Sequence, residues 1–388
     1  MDTISDDEPE VTLGVDTHLD QHAAAALDAV GRLCWAQSAC RRPRPATERL
    51  LTWASGFGLV TRAGVEGTGC YGAGVARFLR AAGIKVIEVT RAARADRRHL
   101  GKSDSLDAQA AARVVLAGTA RATPKQRSGI VESIRLLRIA RQTAVKARTQ
   151  AVIQIKAILV SAPDELRQEL RPLRARQLID RCANARPGVG RDPLTVTKRV
   201  LRSVARRHRM LDAEIAALEA ELDDLVALAA PRLLAQHSVG RETAAKLLTL
   251  AGDNPERLRN HSALAALCGA SPVEASSGKS ARHRLNRGGD RQANNALYTI
   301  AMVRMQHHPE TKAYVARRTH EGKTRREIRR CLMRNLARRL YPLLIADLND
   351  AKTIPALDIG ASTPSPNRSS PRSRRSSCTA AHGRPAAS

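Results

Sequence analysis

The chain has 388 residues, enough for two or three domains, and its 65 lysines and arginines against 37 acids leave a formal net charge of +28. Such an excess points to a polyanionic partner, nucleic acid before an anionic membrane, and no apolar run approaches the roughly 20 residues of a spanning helix. Seven scattered cysteines (34, 40, 70, 182, 268, 331 and 378), odd in number and without a Cys-x-x-Cys pair, argue against a zinc site and a disulfide framework.

Residues 1–10 are acidic and polar, the reverse of a signal peptide; they are expected to be a disordered leader on a cytoplasmic protein with no membrane association. Val11–Val15 alternates, and Ala23–Leu27 and Leu33–Ala36 continue as hairpin strands. Pro45–Trp53 is helical in pattern and Leu59–Val65 returns to a strand. A Gly-rich turn, a helix over Tyr71–Ala82, a strand over Ile84–Val89 and a helix from the N-cap Ser103 to Leu116 follow. Three strands, helix, strand, helix, strand, helix is the order of a ribonuclease-H-like domain, which with a helical extension would span 11–165.

From about 130 the chain reads as long helix. Arg135, Arg138 and Arg141 recur every third residue opposite the apolar stripe Val145, Val152, Ile155 and Leu159. That row is either a phosphate-tracking ridge or a solvated face. Pro163 and the Arg186–Arg191 stretch interrupt the helices. Between 203 and 229, Leu211, Ile215, Leu218, Leu222 and Leu225 alternate four and three apart, a short coiled-coil seam within a helical segment 166–230. Its acids (Asp212, Glu214, Glu219, Glu221, Asp223 and Asp224) would repel phosphate, so the helix is assigned to protein contact, with another subunit or with the basic helix before it. Residues 231–350 form a second, mainly helical unit, and the Ser-, Pro- and Arg-rich stretch 351–388 reads as a disordered basic tail.

The acids carry the chemistry. Asp16 and Glu66 interrupt apolar strands, where a carboxylate is costly without a partner. Asp104 and Asp107, three apart, share a helix face, and Gly67 and Gly69 allow close backbone approach. In a ribonuclease-H-like sheet these four converge. Their repulsion calls for divalent cations, and hard oxygen ligands suit Mg²⁺ or Mn²⁺ acting on a phosphodiester.

In the C-terminal unit, Gln236–Lys246 reads as a turn feeding a helix N-terminus at Gly240, like part of a helix-hairpin-helix with Ser238 in place of the first glycine. The helix near His261–Cys268 ends at Gly269, Pro272 opens a loop, and helix resumes at the N-cap Asp290. The loop holds Ser276, Ser277 and Gly278, followed by Lys279, Arg282, Arg284, Arg287 and Arg291. As an isolated feature Ser-Ser-Gly is an ordinary polar turn. Beside arginines that would stabilise developing charge, in a chain carrying the acid set, a serine could attack phosphorus. Lys102, next to the Asp104 helix, adds a further basic contact. With aromatics at only 2%, phosphate contact rather than base stacking should dominate binding.

In these motifs the chain resembles the DEDD-type insertion-sequence transposases that pair a RuvC-like domain with a C-terminal serine transposase domain, the bridge-RNA-guided recombinases. The resemblance covers most of 11–350. It rests on Gly14–His18, Glu66–Gly72, Lys102–Ala108, Ala270–Gly278 and Arg287–Tyr298. It implies metal-binding carboxylates at Asp16, Glu66, Asp104 and Asp107, and a nucleophile at Ser277, with Ser276 the rival. It also implies a homo-oligomer, dimer or tetramer, acting on two DNA duplexes specified by a structured guide RNA. Leu19 and Asp290 depart from the family's usual residues. The rival readings are a structure-specific endonuclease for four-way junctions and a non-catalytic nucleic-acid-binding protein.

Overall fold

The computed structural model describes residues 8–19, 21–41, 45–89, 103–278 and 283–353. Lys102, Lys279, Arg282, the first seven residues and the tail from 354 lie outside these. Strands β1 (Glu10–Thr17), β2 (Gln21–Leu27), β3 (Leu33–Arg41), β4 (Leu59–Glu66) and β5 (Lys85–Val89) form one sheet in the order β3-β2-β1-β4-β5. β1, β2 and β3 pair antiparallel, whereas β4 runs parallel to both β1 and β5. Helix α1 (Pro45–Ser55) precedes β4, and α2 (Ala73–Ala81) makes the crossover that parallel pairing of β4 with β5 requires. The element order is the one expected, with boundaries shifted by one or a few residues.

Alternation gives the sheet two faces. Leu13, Val15, Ala24, Ala26, Ala63 and Val65 join α1 and α2 in an apolar core. Gly14, Asp16, Ala23, Ala25 and Gly64 face the other way, toward α3 (Asp104–Leu116). Gly14 and Gly64 are register partners on adjacent strands. A Cβ on Gly14 would lie 2.0 Å from the Ala108 carbonyl oxygen, and one on Gly64 would lie 2.6 Å from that of Ala111. The helix therefore rests on bare strand backbone, and its contact residues Ala108, Ala111 and Ala112 are small and buried.

The remainder is helical. α4 (Ile130–Val160) packs along α7 (Pro193–Ala229), with α5 (Asp164–Leu170) and α6 (Ala175–Ala183) between them in sequence. Arg141 pairs with Glu219, Arg148 with Asp212, and Arg207 with Gln154, so the two long helices run antiparallel. Helix α7 begins well before the expected 203. Asp192 caps it, its carboxylate accepting the Thr195 amide at 2.8 Å, and Pro193 occupies the first turn, where no amide is needed. Of the expected seam, Ile215, Leu222 and Leu225 are buried and Leu211 and Leu218 half-buried. Of its acids, Asp212 and Glu219 engage the preceding basic helix.

The C-terminal part comprises α8 (Pro231–Leu234), α9 (Arg241–Ala251), α10 (His261–Leu267), the short strands β6 (Val273–Glu274) and β7 (His283–Arg284), α11 (Arg291–His307), α12 (Pro309–His320) and α13 (Arg325–Ala351). Buried Asp347 on α13 accepts the Arg232 and Leu233 amides at 3.1 and 3.0 Å, capping α8. Buried polar groups also tie this half to the segment leading into α4. The Val131 amide donates to Asp253 at 2.9 Å, Gln126 N–H to the Asn254 side chain at 3.1 Å, and Lys125 Nζ to the Thr249 carbonyl at 2.6 Å. Burial pushes the Lys125 ammonium down to about 8. Among the described residues no helix is long and apolar enough to cross a membrane.

The close approach of α3 predicts an asymmetry between glycines. Gly14→Ala should cost about 1–3 kcal/mol, because backbone must move to admit the methyl group. Gly74→Ala, where a Cβ would meet nothing within 4 Å, should stay within about 0.5 kcal/mol of the parent. Urea unfolding of the two variants measures both.

Candidate active site

The site stands at the C-terminal ends of β1 and β4. The last paired residues are Val15 and Val65, so Asp16 and Glu66 follow side by side, on the same face as Gly14 and Gly64. Thr17 Oγ1 donates to the Glu66 carbonyl at 2.9 Å and ties the two strand ends together. Gly67, at φ +64, turns the chain immediately afterwards, and the Cys70 and Gly72 amides both donate to its carbonyl. The close approach expected of Gly69 occurs instead at Gly72, where a Cβ would lie 2.6 Å from the Glu66 oxygen.

Helix α3 brings the remaining acids. Ser103 caps it as expected, its Oγ accepting the Leu106 amide at 3.3 Å. Asp104 and Asp107 then lie in the first turn, where the helix dipole favours negative charge. His18, two residues beyond Asp16, completes a cluster absent from the expectations. Its Nε2 lies 3.1 Å from Asp16 Oδ2 and 3.4 Å from Asp104 Oδ1. The three ligand atoms all fall within 4.8 Å of one another. Asp16 is only 6% exposed, while His18 and Asp104 are half-buried, so the cluster is anchored below and accessible above. Glu66 and Asp107, expected with them, are not among these three grouped ligands: Glu66 follows Val65, the register partner of Val15, and Asp107 lies one turn along α3. Spacing held the signal for His18: residues two apart on extended chain share a face.

Two carboxylates and an imidazole at this separation form a donor set that fits a divalent cation. The imidazole Nε2 stands between the two carboxylates, and like charges this close favour a cation beside them.

The serine loop is the tip of a two-stranded ribbon. Val273 pairs with Arg284 and Glu274 with His283, a pairing not foreseen from Pro272 onward. Ser276 and Ser277 are exposed, and Gly278 adopts φ +55. Arg284, Arg287 and Arg291 are exposed on the returning chain. Asp290, the departure from the family pattern, caps α11 by accepting the Gln292 and Ala293 amides at 2.8 and 2.9 Å. Nearby Cys268 is no rival nucleophile: burial pushes its thiol up to about 12. Upstream, Gly240 is exposed at the start of α9, and Ser238 takes the left-handed conformation (φ +69) usual for the glycine it replaces.

The arginine row on α4, read as a phosphate-tracking ridge or a solvated face, is ion-paired within the chain. Arg135 pairs with Glu132 at 2.6 Å, Arg138 with Glu242 at 3.3 Å, and Arg141 with Glu219. Glu132 lies one turn back along α4; the other two carboxylates sit on α9 and α7. Two of the three arginines thus bind helices to one another.

The fold and site define a mixed α/β domain with carboxylates gathered at its strand ends, joined to a basic helical half. Residues 13–162 match the family model of the IS110-type DEDD transposase, and residues 230–316 match the transposase IS116/IS110/IS902 family. The chain is thus similar, in two separate stretches, to transposase family models. It is 33% identical over 196 residues to an insertion element IS110 uncharacterized 43.6 kDa protein from Streptomyces coelicolor, covering 48% of this chain and 46% of the relative. The chain therefore spans about half the length of the curated relative it matches.

If the cluster holds a cation, saturating Mn²⁺ should stabilise the protein by about 2.7 kcal/mol at a hundredfold excess over its dissociation constant. Asp16→Ala should lose most of that gain in a thermal-shift titration, whereas Glu48→Ala, on the exposed face of α1, should keep it. Equal stabilisation of all three proteins would place the cation elsewhere.

Proposed function

We propose that the protein is the transposase of an insertion sequence, a DNA recombinase that cuts, exchanges and rejoins strands. Asp16, Glu66, Asp104 and Asp107 bind Mg²⁺ or Mn²⁺, and Ser277 is the nucleophile. The observation that carries the reading is the meeting of Asp16, His18 and Asp104 where β1 ends under the first turn of α3. Glu66 stands beside them by register, in a chain of net charge +28. The order β3-β2-β1-β4-β5, with α3 laid across its centre, supports a ribonuclease-H/RuvC-like domain.

When bound, divalent ions there supply charge neutralisation at the phosphodiester and activation of an attacking or leaving oxygen. The chain's own groups orient that chemistry. Thr17 fixes the spacing of the strand ends, Ser103 fixes the start of α3, and His18 holds Asp16 and Asp104 in one geometry.

In the covalent step the Ser277 oxygen bonds to phosphorus and its proton passes to a base or to solvent. The bond from phosphorus to the leaving deoxyribose oxygen breaks, and that oxygen takes up a proton. The phosphoserine keeps the energy of the phosphodiester, so a hydroxyl of a second strand can reverse the step on a new partner without a nucleotide cofactor. Arg284, Arg287 and Arg291, with Lys279 and Arg282 in the same basic run, stabilise the charge on phosphorus. Ser276 stands in the same exposed loop and is the rival nucleophile. Gly240 contributes an amide at the α9 N-terminus to the DNA backbone. The charge supports double-stranded DNA as substrate, and the relative's printed name, an insertion-element protein, supports the element's own ends as that DNA. The structured guide RNA and the homo-oligomer follow from the family resemblance.

A suicide DNA substrate, nicked so that a covalent intermediate cannot religate, tests the mechanism. The parent and Ser276→Ala proteins should yield a protein–DNA adduct, and Ser277→Ala should reduce it by at least about two orders of magnitude. Undiminished cleavage by Ser277→Ala without an adduct would favour metal-assisted hydrolysis at a four-way junction.

A further inference from the structure

Behind the serine ribbon lies a second concavity, of about 760 Å³, between the β6–β7 ribbon, α11, α12 and the start of α13. That volume falls in the roughly 300–1,000 Å³ range of pockets that enclose one small organic ligand. Its wall is cationic: Arg284 from β7, Lys323 from the turn before α13, and Arg326, Arg329 and Arg330 from α13 all line it. Among the described residues none of Arg284, Lys323, Arg326 and Arg330 forms a salt bridge. The acid lining the cleft, Glu327, is already committed. It accepts the Thr324 amide at 2.9 Å and hydroxyl at 2.8 Å in the capping box of α13.

The cleft is also where this chain spends its scarce aromatic surface. The protein has four tyrosines, and two of them, Tyr298 and Tyr314, line this one cavity. Tyr298 is 39% exposed, and the Arg329 guanidinium lies over its ring at 4.8 Å from the centroid. A flat guanidinium on a flat ring is a platform on which a nucleobase stacks, and the surrounding unpaired cations suit the phosphates on either side. A duplex hides its base faces and would use only the cations. Asn286 and Asn294 also line the wall; Asn294 is occupied, its Nδ2 donating to the Cys268 carbonyl at 2.8 Å.

We propose that this cleft receives one unpaired nucleotide of a nucleic-acid strand, its base stacked on Tyr298–Arg329 and its phosphates against Arg284 and Arg330. β7 contributes Arg284 to the cleft and pairs with β6, which precedes Ser276 and Ser277 in the chain. The inference rests on the proposed function only in taking nucleic acid as the partner. It requires no covalent step and stands whether or not Ser277 is the nucleophile.

The test uses the full chain and three labelled probes read by fluorescence anisotropy: a 12-nucleotide single-stranded DNA, the RNA of the same sequence, and the DNA duplex. Each single strand carries a central 2-aminopurine, whose emission falls on stacking. Tyr298→Ala should weaken single-strand binding about fivefold or more, the loss expected for one stacked base, and abolish the quenching. Duplex binding should change less than about twofold. Tyr298→Phe should restore both single-strand readouts, because the ring and not the hydroxyl is used. The single strand that shows the loss, DNA or RNA, identifies the source of the nucleotide. If Tyr298→Ala binds both single strands as the parent does, or loses single strands and duplex equally, the proposal is wrong. Glu48→Ala, exposed on α1, should leave all three affinities unchanged; the adduct assay reads Ser277 and the affinities read Tyr298, so failure of the nucleophile assignment is separable from failure of this one.

Discussion

The site depends on a helix lying against strand backbone at two glycines, with only small side chains around the contact. Gly14 and Gly64 are neighbours across the β1–β4 pairing, and the carbonyls of Ala108 and Ala111 occupy the space their Cβ atoms would fill. Only because α3 sits that low does its first turn reach the strand ends. There Asp104 comes within reach of His18, and His18 within reach of Asp16. A larger residue at either glycine would lift the helix and separate the acids before it altered any of them. Glycine costs strand stability in general, and here that cost is offset by the position it gives α3.

Electrostatics organise the rest. With +28 net charge the chain would repel itself, and some of its arginines are paired internally. The acidic face of α7 meets Arg141 and Arg148 of α4 and Arg241 of α9, which aligns the long helices and docks the C-terminal part on them. These pairs are partly exposed, so each contributes modestly to stability while together they specify register. Among the described residues, Arg284, Lys323, Arg326 and Arg330 line the cleft behind the serine ribbon without a salt bridge. There a polyanion would complete the charge balance.

Much of the sheet domain was legible because strand alternation and helix periodicity are local signals. Asp16 and Glu66 stood out as acids at the ends of apolar runs, and Ser103 as a cap before Asp104. What escaped was tertiary. His18 enters the cluster only when α3 descends onto the strands, which depends on glycines whose purpose shows once the sheet register is known. The arginines at 135, 138 and 141 look like a free ridge until Glu219 and Glu242 arrive from more than 70 residues away. The apolar seam begins only at Leu211, so it does not mark the start of α7 at Asp192-Pro193, a cap followed by a first-turn proline. The β6–β7 ribbon is two residues per strand, too short for any periodic pattern.

In the proposed mechanism the strand ends and the helix start form one cation site. Binding Fe²⁺ there and triggering hydroxyl radicals with ascorbate and peroxide cuts the backbone next to the bound ion, and mass spectrometry locates the cuts. The account predicts cleavage near residues 16–18, 66 and 104–107 as a single set, protected by excess Mg²⁺ or Mn²⁺. Cuts at one of these segments alone, or at none of them, would contradict it.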